Sequence, residues 1–487
     1  MTRFLISDFG AFPGGKDCAA AIARAVDEAF ASGGGTVVVP PGRWYSGTVE
    51  LKSNVELHIE AGGELVCILD EKFLKGFDDP EAAELLPVSF FIGAAGAQNV
   101  SVTGRGIIYG QGELTMIDDH SDGGLDESPL AFTNFRPKLM LFCNCENLLV
   151  RDVTLKEAAF WTLHLAGCRH VRVEGISILN NDRATNNDGI EPDSCQDVKI
   201  WGCNISTGDD AIVIKAGEKI TRRFGPCRDV LISNCTLHSR DSAFKIGTET
   251  HGLIENIVVS NCIARDCSRI ASILARDGAE IRNVRIVNIY GSARSYASST
   301  RYPMHWWGRG EPVFISAVPR REDAPGPGKI RNISIDGFTA DCESSFFISG
   351  EPGWEIENVN ITNTTLRFVR QGSQPTGFFD EQPSVRDFRE HDIPAFYLNR
   401  VKGLFGDNIS AGFSTPREGQ TEKWTGILEA EHSENIEFHR VRGNTARPGL
   451  PAAVFNQTVD ARLSDWRINN MGELFSARDS VINAGTP

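Results

Sequence analysis

A short phrase recurs along this chain: one turn-forming residue, then alternating apolar and polar positions. It reads Asn54-Val55-Glu56-Leu57, Asn99-Val100-Ser101-Val102 and Asn147-Leu148-Leu149-Val150. It continues as His170-Val171-Arg172-Val173, Asp197-Val198-Lys199-Ile200 and Asp229-Val230-Leu231-Ile232, with later copies starting at Asn256, Asn283, Asn332, Asn358 and Asn435. Starts at 147, 170, 197, 229, 256 and 283 give steps of 23 to 32 residues, the period of a solenoid or propeller. Each copy is a period-2 strand, often followed by Asn or Gly and a second short strand, as in VRVEGISI and VLISNCTL. No amphipathic helix separates the copies, which excludes leucine-rich and helical repeats. Regular Asn-Gly hairpin turns are missing too, which disfavours four-stranded blades.

The pattern predicts an all-β fold, a right-handed single-stranded parallel β-helix. Each coil supplies two or three short strands, inward side chains form apolar ladders, and turn asparagines stack along the axis. A helix is predicted over 17–31, with Asp17 as N-cap and Gly33 to Gly35 closing it. It would cap an open end of the coil stack, where strand edges are otherwise unpaired. Residues 1–487 are read as one domain. Segments 65–90, 112–135, 295–330 and 370–395 read as irregular, and the last two as insertions that build a cleft.

Composition narrows the functional classes. The net charge of −15 argues against nucleic acid, whose phosphates demand basic surface. No run of 18 apolar residues exists, so no membrane-spanning helix is expected. The opening MTRFLISDFGAFPGG lacks the apolar core of a secretory leader. The 12 cysteines show no disulfide-framework spacing. Together these point to a cytoplasmic protein. Cys195, Cys203, Cys227, Cys235 and Cys262 recur beside the turns and read as small buried hydrophobes. No CxxC pair argues for zinc, and no metal or cofactor is expected. Oligomeric state is left open.

Two segments depart from a purely structural pattern: Asn186-Asn187-Asp188-Gly189-Ile190-Glu191-Pro192-Asp193 and Gly208-Asp209-Asp210-Ala211-Ile212-Val213-Ile214-Lys215. Asp188 and Asp209 are 21 positions apart, close to one coil, which would stack them about 5 Å apart along the axis. Three crowded carboxylates are costly unless a proton is retained, so at least one pKa should rise. Glycoside hydrolysis needs such a set: an acid for the leaving oxygen and carboxylates to hold the attacking water.

These two segments resemble glycoside hydrolase family 28, the polygalacturonase family of inverting β-helix hydrolases. The likeness extends to FWTLHLAGCRHVRVEGISI and GGGTVVVPPGRWYSGTVELKSNVELHIEAGGEL, and spans roughly residues 6 to 365. It implies Asp209 as general acid, Asp188 and Asp210 as the groups that activate water, and Asn186 and Lys215 as site-lining residues. The family's Gly-His-Gly is absent, and Asp241 or Ser242 stands near the histidine's place. The Arg and Lys that read substrate carboxylate in polygalacturonases fall near Ser272 and Leu274. Lys245 and Arg276 are candidates for a relocated positive charge. In the insertion from Tyr302 to Pro312, Trp306, Trp307 and Arg309 are the expected added substrate wall, with aromatic faces for sugar stacking. His251 reads as a turn residue.

The expected function is inverting, exo-acting hydrolysis of an α-linked pectin-type or other plant cell-wall oligosaccharide. One alternative is a polysaccharide lyase or epimerase, distinguished by product absorbance from a new double bond. Another is a non-catalytic carbohydrate-binding β-helix.

Overall fold

The computed structural model describes residues 2–133, 135–298, 305–372, 374–415 and 423–484. They fall into two compact units, one ending at Leu237 and the other starting at His238. Each is built from coils of a right-handed parallel β-helix.

In the first unit a coil comprises strands Arg169–Glu174, Ser177–Leu179 and Ile190–Asp193. The next comprises Gln196–Trp201, Asn204–Thr207 and Ile212–Ala216. Their pairing is parallel and in register: Val150, Val173, Ile200 and Ile232 align, as do Leu155, Ile178 and Ile205. Period-2 alternation sends these aliphatics inward, where each is buried, while Arg172 and Lys199 between them face water. The third strand of each coil differs. Lys138–Cys143, Leu163–Ala166, Ile190–Asp193 and Ile212–Ala216 are buried throughout. Part of this sheet's outer face is covered by helices α2 (Pro80–Leu85) and α3 (Glu218–Phe224), where Ala82 and Ile220 pack with Leu141, Cys143 and Ala166.

The turn residues of the repeat explain themselves through backbone geometry. Asn54, Asn99, Asn147, His170, Asp197, Asp229, Asn256, Asn283, Asn332, Asn358 and Asn435 all have φ between +48 and +65. In that left-handed region most L side chains are strained, whereas Asn, Asp and His are tolerated. Their side chains stack as expected. In the first unit Asn147 donates to Asn99 and Asn99 to Asn54 at 2.7 and 2.8 Å. In the second, Asn358, Asn332, Asn283 and Asn256 form a run at 3.1 to 3.2 Å. The sequence reading missed a second ladder, in which Asn288 donates to Asn261 and Asn408 to Asn363, both at 2.7 Å.

The second unit runs its strands longer, as in Leu253–Cys267, Ala279–Ala293 and Gly328–Cys342, with Val259, Ile286, Ile335 and Ile361 in one ladder. Helix α1 (Ala19–Ala31) buries Ala21, Ile22, Ala25, Val26 and Ala29. Its N-cap is Cys18 rather than the expected Asp17. Asp17 accepts from Ala19 N (2.9 Å) and Gly47 N (3.0 Å), so it ties the helix start to the coil instead.

The irregular segments need correction. Region 65–90 contains α2, and 112–135 contains an antiparallel pair, Met116–Ile117 with Ala131–Phe132. Region 295–330 includes Glu311–Ala317, a fully buried strand whose Glu-Pro start hid it. Region 370–395 folds back on itself through Phe378–Asp380 and Phe388–Glu390. Arg276 fastens this insertion and is not a relocated substrate-facing charge. It is wholly buried, donating to the carbonyls of Pro383 (2.9 Å), Glu381 (3.1 Å), Ser316 (3.0 Å) and Val318 (3.2 Å).

None of the twelve cysteines forms a disulfide among the described residues, and all are buried. Cys195 donates to the Leu165 carbonyl at 3.1 Å and accepts from Cys168 N at 3.3 Å, so these thiols sit in the turns as small core groups. Among the described residues no helix is long and apolar enough to cross a membrane.

Candidate active site

Asp188, Asp209 and Asp210 meet in the first unit, one oxygen of each lying within 4.8 Å of the others. Ile190 pairs with Ile212, a step of 22, so Asp210 rather than Asp209 lies in register with Asp188. Gly189 N donates to Asp210 O at 2.9 Å and fixes that register. Asp209 comes in from the turn. Its Oδ2 accepts from Asn186 N (2.8 Å) and its Oδ1 from Asp210 N (3.0 Å). Asn186 can offer that N–H because it stands at φ +57. Asn187, fully buried, uses its Oδ1 to hold the N–H groups of Gly208 (2.9 Å) and Asp209 (3.1 Å). The Asn-Asn-Asp and Gly-Asp-Asp segments therefore clamp one another.

Burial sets the electrostatics. Asp188 is almost fully enclosed, and its pKa is driven well above the usual carboxylate range, first by desolvation and then by the Asp209 charge. Its Oδ1 has no hydrogen-bond partner. Lys215 Nζ stands 3.8 Å from Asp188 Oδ2 and 3.8 Å from Glu191 Oε1. Glu191 is inaccessible, neither of its oxygens has a hydrogen-bond partner, and burial followed by Asp188 raises its pKa as well.

Sequence reasoning missed most of this surround. Lys138, His164, Glu191 and Asp193 were given no role by the sequence, and all are buried. Lys138 Nζ lies 2.6 Å from His164 Nδ1, and His164 Nε2 lies 3.5 Å from Asp193 Oδ2. An ammonium only donates, so Nδ1 accepts and the ring proton sits on Nε2, toward Asp193. Burial lowers Lys138 to about 8 and His164 to about 4. The ammonium groups of Lys138 and Lys215 both lie over the Trp161 ring, at 3.8 and 4.5 Å. Arg136 is the other omission. It donates to Thr185 O at 2.9 Å and Asn186 Oδ1 at 3.0 Å. Polar residues breaking otherwise apolar strand runs were the available signal.

Three carboxylates this close have the geometry to hold a cation, as do His391, Glu429 and Glu431 in the second unit. At the trio, however, Lys215 already supplies positive charge.

The other predicted residues belong to the second unit. Asp241 and Lys245 are buried and 3.9 Å apart. Lys245 pairs with Ser272, so the uncharged position lies beside a lysine, and Lys245 Nζ stands 4.8 Å from the centre of the Trp307 ring. Trp307 is half-buried, whereas Trp306 is buried and turned into the protein. Arg309 lies over Phe388 (4.3 Å) and donates to Ser295 Oγ (3.4 Å). Tyr302, Pro303 and Met304 lie outside the described residues.

Glycosyl hydrolases family 28 matches residues 79–289, which hold both acidic segments. A probable polygalacturonase of Vitis vinifera is 29% identical over 404 residues, covering 77% of this chain and 80% of that one. Two solved structures share the fold. The hyperthermoactive exopolygalacturonase of Thermotoga maritima has a TM-score of 0.56 at 23% identity, over 76% of this chain and 88% of that one. The family 28 exopolygalacturonase of Yersinia enterocolitica has a TM-score of 0.61 at 17% identity, over 96% and 78%. With the paired acidic segments brought together as one site, the chain is similar to glycosyl hydrolases family 28 over residues 79–289 and is an O-glycosyl hydrolase.

Proposed function

We propose that the protein is an inverting, exo-acting hydrolase of α-linked pectin-type oligosaccharides. Asp209 protonates the leaving oxygen, and Asp188 and Asp210 hold and deprotonate the water. The carrying observation is the set of three carboxylates within 4.8 Å around a desolvated Asp188. Such a set retains a proton near neutral pH, and that proton belongs to the group as a whole. The substrate class is supported by the polygalacturonase relative, and exo action by the long insertions 295–330 and 370–395. A cytoplasmic setting is part of the reading, supported by twelve free thiols.

The oxygens stand closer than the roughly 6.5–9.5 Å usual between the carboxyl groups of an inverting pair. A trio can meet the requirement differently, with two carboxylates sharing the water. Product anomers read by NMR test this: the first-formed product must have the opposite configuration, and retention refutes the mechanism. Asp209→Asn should abolish turnover and leave the fold intact. Early release of short products without a fall in viscosity tests exo action.

One observation favours a second assignment within the trio. Asp209 accepts two backbone N–H bonds, which suit a carboxylate, while Asp188 is the group pushed toward its neutral form. Asp188 would then donate the proton. Aryl glycosides with good leaving groups need no acid, so they should rescue whichever Asn variant has lost it.

A further inference from the structure

The positions where a carboxylate-reading Arg and Lys were sought hold Ser272 and Leu274, both buried, and Arg276 is committed to carbonyls. In the first unit one guanidinium is placed otherwise. Arg136 is half-buried, with its Cζ 3.4 Å from the centre of the Phe132 ring and 5.0 Å from that of Phe160. The aromatic faces and the bonds to Thr185 O and Asn186 Oδ1 fix its plane. Asn186 is the same residue whose N–H holds Asp209 Oδ2, so one turn sets both the guanidinium and a carboxylate of the trio.

We propose that Arg136 reads the carboxylate of a uronate sugar bound beside Asp188 and Asp209; this deepens, and rests on, the pectin-type reading. Two hydrogen bonds engage two of five guanidinium N–H donors, which leaves donors for a planar anion. Arg136 forms no ion pair within 4.0 Å among the described residues. Arg183, by contrast, is closed off by Asp118, at 2.5 Å from Nη1 and 2.9 Å from Nη2. The charge of Arg136 is also under-compensated: burial lowers its pKa to about 10 although Asp209 and Asp188 act to raise it. A half-exposed, oriented and unpaired guanidinium selects an anionic ligand over its neutral ester.

The test is calorimetric binding of galacturonate and its methyl ester to wild-type protein, Arg136→Gln and Arg136→Lys. Wild type should bind the acid roughly 10- to 100-fold more tightly than the ester, the range of a charge-assisted hydrogen bond. Arg136→Gln should bind both alike. Arg136→Lys, which keeps the charge without the fork, should keep only part of the preference, and it carries the test should the Gln variant not fold. Absence of preference in wild type, or undiminished preference in either variant, overturns the proposal. Hydrolysis of polygalacturonate, followed by reducing ends, tests the underlying function separately, because the binding preference does not depend on turnover.

Discussion

His164 offers the sharpest quantitative test of the buried polar row. Its imidazole is inaccessible, faces the Lys138 ammonium at 2.6 Å and is pushed from 6.5 to about 4, by burial first and Lys138 second. The folded state therefore refuses a proton that the unfolded chain accepts. Above pH 6.5 both states are neutral and the full stability is present. As pH falls from 6.5 to 4 the unfolded state gains the proton, and stability is lost through the lower, folded value. At about 1.4 kcal/mol per tenfold, the loss from this one group is about 2.5 kcal/mol by pH 4.5 and levels off at about 3.4 kcal/mol below pH 4. Gln in its place still accepts from Lys138 but does not titrate. Urea unfolding of wild type and His164→Gln, compared at pH 7.5 and 4.5, isolates the effect, because the other titrating groups cancel in the difference. The stability of wild type relative to the variant should fall by about 2.5 kcal/mol between those pH values. A gap independent of pH, or an imidazole resonance that titrates near 6.5 and disappears in the variant, would refute the argument.

Three further outcomes follow from the same physics. Glu191 has a raised pKa, so the stability its neutral form confers is present at low pH and is lost as pH rises through that folded value; Glu191→Gln should leave stability at pH 5 within about 1 kcal/mol and raise the melting temperature relative to wild type at pH 9. Asn283 holds a left-handed turn between two ladder bonds; Asn283→Gly should cost about 1 kcal/mol and Asn283→Ala about 2, the difference being left-handed strain, read by urea unfolding. Arg276→Met strands the buried carbonyls of Ser316, Val318, Glu381 and Pro383; it should cost about 3–5 kcal/mol and open 381–383 to protease, and resistance equal to wild type would contradict its anchoring role.

The parts of this fold that were legible are those where one residue answers to its own backbone. Asn at φ near +57 and aliphatics at period 2 declare themselves locally, and eleven quoted turn residues all hold left-handed geometry. The second ladder escaped because one of its rungs is glycine, Gly337, which keeps the φ but loses the letter. Strand Glu311–Ala317 escaped because Pro312 usually marks a strand's exclusion from a sheet.

The carboxylate trio was legible for a different reason: its residues lie in two contiguous segments, and each segment carries its own tight turn. What surrounds the trio is assembled across coils. Lys138, His164, Glu191 and Lys215 come from four successive strands of one sheet, and Lys138 and His164 each alone read as a polar interruption in a buried run. Only the register, which aligns Leu141 with His164 and His164 with Glu191, makes them one group. That alignment matters chemically. Four buried carboxyls and three cations cannot all be charged at independent pKa values, so the proton inventory of Asp188 depends on Lys215, and that of Lys215's other neighbour, Glu191, on Lys138. A substrate carboxylate arriving at Arg136 would add a further charge to the same balance and favour proton retention by the trio. Recognition of a uronate and protonation of its leaving oxygen would then be coupled through one electrostatic network, and the pH optimum on the acid should lie above that on the methyl ester. Coincident optima would separate the two steps.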